Sequence, residues 1–581
     1  MHCTLCTANY RAERGFMDLR IRLIFTLFSV WFIIISGKLW LMQVLHKTVY
    51  TEMSVRNRTR EVDIPSARGR IYDREGRVLV DNKAATQLVA VIDEIENRKE
   101  FASEVSSITN LSVEYILKKI KENLYKPFVP AVLASDLNEE TLMKVAESRW
   151  RVPGLAIQIA PVRDYLFGET FAHIIGYVGE VGKGELNDGG YNWGDIVGRT
   201  GLEKQYDKEL RGEKGYKEVQ VDYKGNVDTI LNVVEPKIGN SLYLTIDMDL
   251  QNALLNALKG HNGAGVVMNP NTGEVLALTG SPSYDPNLLK SPVKPEVANK
   301  LFTDKNRPMV NRAVNGVYPP GSIFKIIVAL AALESGIINK DSLFCCDGKF
   351  DLGGTEFKCS EKKGHGWVDL STAIKKSCNL YFYQIGVKVG PEKISDMARR
   401  FGLGESTGIK LPGEKKGLIP IKIINSKKWY PGDTVSLSIG QGKILVTAMQ
   451  MAVLASAIAN GGTIYRPYLL MGDETNLGAV VVDKKYIDIV KEGLYRVVNE
   501  PEGTGVKAAV EGLRVAGKTG TVELVEGGKK RDICWFVGYA PADNPQITAA
   551  VVIEDGASGG VSAAPVVQEV FKAWKDKNEC F

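Results

Sequence analysis

Ser322 and Lys325 are the two residues of this 581-residue chain whose types and spacing best suit nucleophilic chemistry. They lie in the segment PPGSIFK, where the prolines end the preceding element and an apolar, helix-like run begins. Residues three apart on a helix share one face, so the lysine can take the serine proton if burial or a nearby cation lowers its pKa. The match alone is weak, because Ser291–Lys294 and Ser360–Lys363 repeat the spacing.

Two further motifs strengthen this prediction. Ser377-Cys378-Asn379 follows the helical stretch LSTAIKK at a predicted turn, and Lys518-Thr519-Gly520-Thr521 lies in the strand-like segment RVAGKTGTVEL. S-x-x-K, a serine–asparagine triplet and K-T-G in this order are the pattern of penicillin-binding proteins and class A β-lactamases. The chain has only five histidines, which agrees with a lysine as the base.

The chain resembles the class B penicillin-binding proteins from its N-terminal segment to its C-terminus. The similar segments are RGRIYDREGRVL, RDYLFGETFAHIIGYVG, VGRTGLEKQYDKELRG, TGEVLALTGSPSYDPN, NRAVNGVYPPGSIFK, GHGWVDL, SIGQG and VAGKTGTVE. Within the class it is most similar to the elongation type, through its Cys-rich insert before GHG, SCNLYFYQIG and WFVGYAPADNPQITAAVVIEDG. The resemblance implies a peptidoglycan D,D-transpeptidase that crosslinks stem peptides during lateral wall elongation and is acylated by β-lactams.

The resemblance also implies roles for the first two motifs. Ser322 attacks the penultimate D-alanine carbonyl of a donor stem peptide and releases the terminal D-alanine, with Lys325 as general base. Ser377 relays protons, and Asn379 holds the peptide amide. An amine from a neighbouring stem peptide then resolves the acyl-enzyme.

The third motif is expected to bind the donor. Lys518 and Thr519 bind its terminal carboxylate, Gly520 and Thr521 complete the binding strand, and the backbone N–H groups of Ser322 and Thr521 form the oxyanion hole. Two residues depart from the commonest patterns, Ile323 (usually Thr) and Val522 (usually Ala). Both are apolar neighbours of the catalytic groups, so we expect them to change affinity for drugs rather than the chemistry.

A cluster of cysteines precedes and includes the second motif. Cys346-x12-Cys359-x5-His365-x12-Cys378 offers three sulfurs and one nitrogen, a set suited to tetrahedral structural zinc. The spacings exceed those of a zinc finger, so a disulfide or free thiols stay open as alternatives. The resemblance favours zinc, because some elongation-type members hold the metal at these positions. A metal here would brace Ser377 and Asn379.

Composition and hydropathy bound the cellular setting. A net charge of +5 gives no reason to expect nucleic acid as a partner, and eight cysteines are too few for a disulfide scaffold. Residues 23–45 form one apolar run interrupted by Lys38, preceded by arginines, which predicts a single span with a cytoplasmic N-terminus and the bulk of the chain outside the inner membrane. A cleaved signal peptide and a start at Met17 are the alternatives.

The expected fold is α+β. We predict a cytoplasmic tail (residues 1–22), a transmembrane anchor (23–45), an elongated mixed α/β pedestal (46–240) and a transpeptidase domain (241–581) with an antiparallel sheet, flanking helices and a helical subdomain. Helices are predicted at Val113–Asn123 and Asn138–Glu147, among short strands over residues 83–160. Sheet is predicted at Gly512–Val525, Asp532–Ala540 and Gln546–Glu554, before a terminal helix.

Other functions sharing the motifs fit less well. A β-lactamase or a carboxypeptidase does not account for the anchor and pedestal, and a β-lactam sensor normally has several spans. A bifunctional class A protein needs a glycosyltransferase domain where this chain has a pedestal-like segment. The closest rival is a division-type class B transpeptidase. Since class B proteins make no glycan, the elongation type implies a SEDS-family glycosyltransferase as partner, contacted through the anchor and residues 46–240.

Overall fold

The computed structural model describes residues 4–50, 59–124, 129–135, 137, 139–148, 150–186, 190–221, 227–290, 293, 295–420, 429–473, 478–526 and 529–579. Its residues fall into two units. The first, here called the anchor unit, comprises Met1–Ser66 and Glu213–Lys237. The second, the main unit, comprises Ala67–Gly212 and Ile238–Phe581.

The apolar segment of the anchor unit is helical. It runs through α1 (Thr4–Trp40) and a wider helical turn at Leu41–Leu45. Within the described residues, Arg20–Leu45 is the one helical segment long and apolar enough to cross a membrane, with a mean hydropathy of 1.9 and none of its hydrophobic window buried. It contains the predicted span of residues 23–45 and fits a single-pass membrane anchor.

The anchor unit also contains a three-stranded antiparallel sheet. Its strands are β1 (Thr59–Ile64), β8 (Gly215–Val221) and β9 (Val227–Val234), in the order β1-β8-β9. The β8 strand lies in the segment YKEVQVDY, whose Asp222 and Tyr223 are outside the described residues.

A five-stranded sheet organises the first part of the main unit. Its strands are β2 (Ile71–Tyr72), β3 (Val78–Ala90), β4 (Ala131–Ser135), β5 (Leu155–Tyr165) and β10 (Leu242–Tyr243). The order is β10-β2-β3-β4, and β5 pairs along β3. A separate pair is formed by β6 (Val178–Glu180) and β7 (Ile196–Gly198). The helices are α2 (Arg98–Thr109), α3 (Val113–Asn123), α4 (Glu139–Ser148), α5 (Ala172–Ile175), α6 (Gly201–Gln205) and α7 (Asp207–Arg211).

The predicted helices of this region are confirmed, and a short strand is present as the five-residue β4, but two of the strands are longer than predicted. The α3 helix has the predicted bounds, with Ser112 accepting the Tyr115 N–H as its N-cap. The α4 helix is displaced by one residue, and Asn138 lies outside the described residues. In contrast β3 has 13 residues and β5 has 11. The polar residues of DNKAATQ interrupt the strand pattern, so the sequence does not indicate the full length of β3. Pairing with β5 along eleven positions stabilises the strand instead.

A buried ion-pair network joins three of the segments on which the family resemblance rests. Arg68 lies 2.8 Å from Glu203 and 2.9 Å from Asp207, and Arg163 lies 2.6 Å from Glu203. All four side chains are at most 8% exposed. Removing one partner of such a network leaves a buried charge uncompensated, so the network fixes how these three segments pack together.

The second part of the main unit is built on a five-stranded antiparallel sheet. Its strands are β11 (Asn262–Met268), β12 (Val275–Ser281), β19 (Ala516–Glu526), β20 (Lys529–Ala540) and β21 (Ile547–Glu554), in the order β12-β11-β21-β20-β19. Seven of the eight β21 residues are buried, so helices cover both faces. The predicted strands near the C-terminus are confirmed, the first starting at Ala516 rather than Gly512.

Helices surround this sheet and form the predicted helical part. They are α8 (Met248–Leu258), α9 (Pro295–Thr303), α10 (Arg312–Asn315), α11 (Lys325–Glu334), α12 (Leu370–Lys375), α13 (Asn379–Val389), α14 (Pro391–Arg400), α15 (Pro431–Ser438), α16 (Ala448–Ala459), α17 (Lys484–Asn499) and α18 (Ala564–Glu579). Short strand pairs lie between them: β13 (Phe344–Cys346) with β16 (Gly366–Val368), β14 (Lys349–Leu352) with β15 (Thr355–Lys358), and β17 (Thr463–Ile464) with β18 (Ala479–Val480). The α+β prediction is confirmed.

Candidate active site

Ser322 lies in a tight turn that leads into α11. The helix-like run predicted in PPGSIFK begins as a 3-10 turn at Gly321–Phe324 and continues as an α-helix from Lys325. The turn is imposed by Gly321, which has φ +55° and donates its N–H to Gly440 O at 2.9 Å. A Cβ at position 321 would come within 2.6 Å of Val522 Cγ2. Because residues i and i+3 eclipse each other in a 3-10 turn, Lys325 still follows on the Ser322 side.

Lys325 is a fully buried amine with three polar contacts. Its Nζ donates to Asn379 Oδ1 at 2.7 Å and to Ser377 O at 2.8 Å, and lies 3.2 Å from Ser377 Oγ. Burial lowers the pKa of Lys325 to about 8, and the nearby sulfurs of Cys378 and Cys359 oppose that shift. At neutral pH some of the Lys325 amine is therefore uncharged and able to accept a proton.

The second motif occupies the predicted turn between two helices. The α12 helix ends at Lys375 and α13 begins at Asn379. Ser377 has φ +53°, a left-handed conformation that non-glycine residues seldom adopt. Such strain persists where the surrounding contacts determine the conformation, and here it accompanies a Ser377 hydroxyl placed between two lysines.

The third motif lies on β19, the edge strand of the large sheet. Lys518 is buried, and its Nζ donates to Ser377 Oγ at 3.0 Å and to Thr519 O at 3.0 Å. Burial, reinforced by the charge of Lys325, holds the pKa of Lys518 well below its usual range. The Thr521 hydroxyl accepts the Gly559 N–H at 3.0 Å. All three motifs thus meet at Ser377, whose hydroxyl both lysines contact.

The two residues that depart from the commonest patterns lie where the motifs touch. Ile323 is buried, and a Cβ on Gly520 would lie 3.3 Å from its Cγ1. Val522 is 4% exposed and contacts the Gly321 turn. Of the two rival S-x-x-K matches, Ser360–Lys363 is exposed, and Ser291 lies outside the described residues.

The structure also brings together the four predicted metal ligands. One ligand atom from each of Cys346, Cys359, His365 and Cys378 lies within 4.8 Å of all the others. His365 Nδ1 is 3.5 Å from both Cys346 Sγ and Cys359 Sγ. The close approach of the Cys359 and Cys378 side chains lowers the pKa of Cys359 and raises that of Cys378. Cys345, Cys346, Cys359, Cys378 and Cys534 form no disulfide in the structure.

Cys378 links this cluster to the second motif. It caps α13 by accepting the Tyr381 N–H at its sulfur and stands between Ser377 and Asn379. Cys359 directly follows β15, and Lys358 O lies 3.5 Å from Asn379 Nδ2. The neighbouring Cys345 is exposed and is no member of the group.

Sequence reasoning missed one residue of the site. Thr504, in the loop after α17, lies 2.8 Å from Thr519, hydroxyl to hydroxyl. Nothing in its segment, EGTG, resembles a catalytic motif, and only the folded chain brings it beside β19. The contact of both lysines with the Ser377 hydroxyl is likewise not predictable from the sequence.

Comparisons with known proteins agree with this arrangement. The family profile described as "Penicillin binding protein transpeptidase domain" matches residues 263–572, and "Penicillin-binding Protein dimerisation domain" matches residues 63–244. The chain is 33% identical to the peptidoglycan D,D-transpeptidase MrdA of Acinetobacter baumannii, over 93% of this chain and 85% of the relative. It is 31% identical to that of Escherichia coli K12, over 90% and 89%.

A solved structure has the same fold. It is the complex between penicillin-binding protein PBP2 and MreC from Helicobacter pylori, with a TM-score of 0.80 and 27% identity, covering 90% of this chain and all of that chain. These relatives favour the elongation type over the division type. The chain therefore belongs to the class B penicillin-binding proteins of the PBP2 type and is a serine-type, elongation-type peptidoglycan D,D-transpeptidase.

Proposed function

We propose that Ser322 is the acylated nucleophile of this transpeptidase and that Lys325 is its general base. The observation that carries the proposal is the buried amine of Lys325, which has a lowered pKa and three oxygen contacts near the turn of Ser322. Lys325 takes the hydroxyl proton while Ser322 Oγ forms a bond to the penultimate D-alanine carbonyl carbon. The terminal D-alanine leaves with a proton delivered through Ser377.

Donor binding sets the protonation states of the two lysines. Both are buried beside one hydroxyl, so the pair does not readily hold two positive charges. The terminal carboxylate of the donor, bound by Lys518 and Thr519, raises the pKa of Lys518 and keeps that amine protonated. The resulting positive charge favours neutral Lys325, so arrival of the correct anionic substrate prepares the base.

The remaining motif residues orient the peptide. Asn379 Oδ1 accepts from Lys325, so Asn379 holds the donor amide with its side-chain Nδ2 group. The N–H groups of Ser322 and Thr521 stabilise the oxyanion. Support for this pairing comes from the close approach of the two segments, since a Cβ on Gly321 would lie 3.6 Å from Thr521 N. An acceptor amine completes the crosslink, and water in its place gives a carboxypeptidase side reaction.

Labelling with a fluorescent penicillin tests the nucleophile. We expect the wild-type chain to gain one adduct by intact mass and Ser322→Ala to gain none while keeping its melting temperature. Ser360→Ala is the matched control, because this exposed serine has the same spacing to a lysine. An adduct that persists in Ser322→Ala, or that maps to Ser360 or Ser291, contradicts the assignment.

We also propose that Cys346, Cys359, His365 and Cys378 hold a structural zinc ion. With Zn–S of about 2.3 Å and Zn–N of about 2.0–2.1 Å, a tetrahedral site separates sulfur from nitrogen by about 3.6 Å. The two 3.5 Å distances between sulfur and His365 Nδ1 fit that requirement. Three thiolates and one imidazole leave no open position, so the ion braces the loops and the chemistry stays with the serine and lysines.

The cellular arrangement of the chain follows from its anchor. We place the N-terminus in the cytoplasm and the rest of the chain outside the inner membrane, since Arg20 and Arg22 begin the apolar segment, with Arg11 and Arg14 before them. Stem peptides and β-lactams then reach Ser322 from the outer side. The solved PBP2–MreC complex supports an MreC-like partner. Membership of class B supports a SEDS-family glycosyltransferase as a second partner, because proteins of this class do not polymerise glycan themselves.

A further inference from the structure

Thr504 stands beside the proposed carboxylate site but belongs to none of the three motifs. In the structure the Thr519 hydroxyl donates to Thr504 Oγ1 at 2.8 Å. Thr519 is 6% exposed and Thr504 is half-buried, so the pair lies at the boundary between the interior and the surface. A hydroxyl has one proton to donate and two lone pairs, so each threonine can serve the other in either direction.

The backbone around Thr504 is held on several sides. In its loop the Gly503 N–H donates to Glu500 O at 3.1 Å, and the Gly505 N–H donates to Val497 O at 3.0 Å. Gly560 covers it from the segment before α18, since a Cβ there would come within 2.3 Å of Thr504 O and 3.8 Å of Thr519 Cγ2. The Thr504 hydroxyl is thus presented to Thr519 from a fixed position.

We propose that Thr504 is a positioning residue for recognition of the donor carboxylate. A carboxylate accepts hydrogen bonds and donates none. When it reaches Thr519, the Thr519 proton turns to the carboxylate and the Thr504 proton turns to Thr519 Oγ1. The two hydroxyls then form a chain that ends on the anion and polarises the Thr519 hydroxyl. No proton leaves either oxygen, and only the direction of the bond between them reverses. This inference rests on the proposed role of Thr519.

The test compares acylation by benzylpenicillin, which carries the carboxylate, with acylation by its neutral methyl ester. We expect Thr504→Val to lower the second-order acylation constant for benzylpenicillin about tenfold and that for the ester by less than about twofold. Thr504→Ser, which keeps the hydroxyl, should stay close to the wild type. The ratio of the two constants is measured within one preparation, so a partly unfolded sample does not change it. Should Thr504→Val fail to fold, Thr504→Ala provides the same ratio.

Each outcome has one reading. Equal losses with both compounds, or no loss with either, overturn the role of Thr504. Thr519→Val tests the assumption beneath it: an unchanged ratio in that variant overturns carboxylate binding by Thr519 itself. A changed ratio in Thr519→Val with an unchanged ratio in Thr504→Val overturns only the present inference. Absence of any adduct on the wild-type Ser322 contradicts the proposed function as a whole.

Discussion

At the scale of single residues, the site depends on two buried amines that contact one hydroxyl. Ser377 Oγ is 3.2 Å from Lys325 Nζ and 3.0 Å from Lys518 Nζ. Within the described part of the chain no carboxylate pairs with either lysine, and burial lowers the pKa of both. This arrangement favours a neutral amine over a stable ion pair. A neutral amine suits the proposed role of Lys325 as the general base.

The rate of acylation is expected to depend on pH through Lys325. Its pKa is lowered to about 8, and only the neutral amine can accept the Ser322 proton. The rate constant for benzylpenicillin should therefore rise with pH, by about tenfold per unit below pH 7, and level off above the pKa. Stopped-flow measurement between pH 6 and 9.5 checks this. Lys325→Ala should abolish acylation, Lys363→Ala should leave the profile unchanged, and a flat wild-type profile contradicts the proposal.

The sequence predicts the identities of the site residues better than their conformations. Motif order and spacing were enough to select Ser322, Lys325, Ser377 and Lys518. The left-handed Ser377 and the 3-10 turn before α11 were not predictable, because contacts with residues far along the chain impose them. Thr504 shows the same limit, since a hydroxyl in a glycine-rich loop carries no local signal of its neighbour across the fold.

At the scale of elements, the strand pairs before the second motif bury few of their side chains completely. The β14 and β15 hairpin and the β13 and β16 pair are short, and most of their side chains are exposed or half-buried. Cys346, Cys359 and Val368 are buried here, and the two cysteines lie close to Cys378. A metal at this position would hold the hairpin and the second motif together.

Removal of two of the proposed zinc ligands should weaken stability and catalysis together. We expect Cys359→Ser with His365→Ala to lower the melting temperature by about 5 °C and to slow acylation, because Cys378 then no longer steadies Ser377 and Asn379. Cys345→Ser is the matched control, as this exposed neighbour lies outside the group. Metal analysis should find one zinc per chain in protein purified without added metal. A native disulfide between Cys346 and Cys359, or between Cys359 and Cys378, refutes the site.

Element prediction succeeded where local signals were strong. The predicted bounds of α3 are correct, and Ser112 caps the N-terminus of this helix. It failed for β3 and β5, whose length depends on mutual pairing rather than on alternation. The ion pairs of Glu203 with Arg68 and Arg163 were also unpredictable, since they join segments more than a hundred residues apart in one case.

At the scale of the whole molecule, the apolar anchor is chemically separate from the catalytic residues. The most apolar stretch of Arg20–Leu45 is not buried in the protein, and every site residue lies in the main unit. We therefore expect replacement of residues 20–45 with an unrelated span to leave penicillin acylation of the purified chain unchanged but to reduce co-purification with the proposed SEDS-family glycosyltransferase. Quantitative pull-down from membranes checks this, with Ser322→Ala as a control that keeps the anchor. Unchanged recovery after replacing both the anchor and residues 46–240 excludes the arrangement.

The large sheet places β11 between β12 and β21, so its central pairing joins residues 262–268 to residues 548–554. During synthesis β11 and β12 are made long before β21. The edge of β11 that pairs with β21 therefore stays uncovered until nearly the whole catalytic region has been made. Long-range pairing of this kind slows folding and leaves hydrophobic strands open to aggregation. It also delays formation of the active site, because Lys518 lies on β19. Among the described residues β19 pairs only with β20, and β20 in turn pairs with β21. A chain that stops short of these strands has no surface against which to bury its second lysine, so incomplete copies of the enzyme stay inactive.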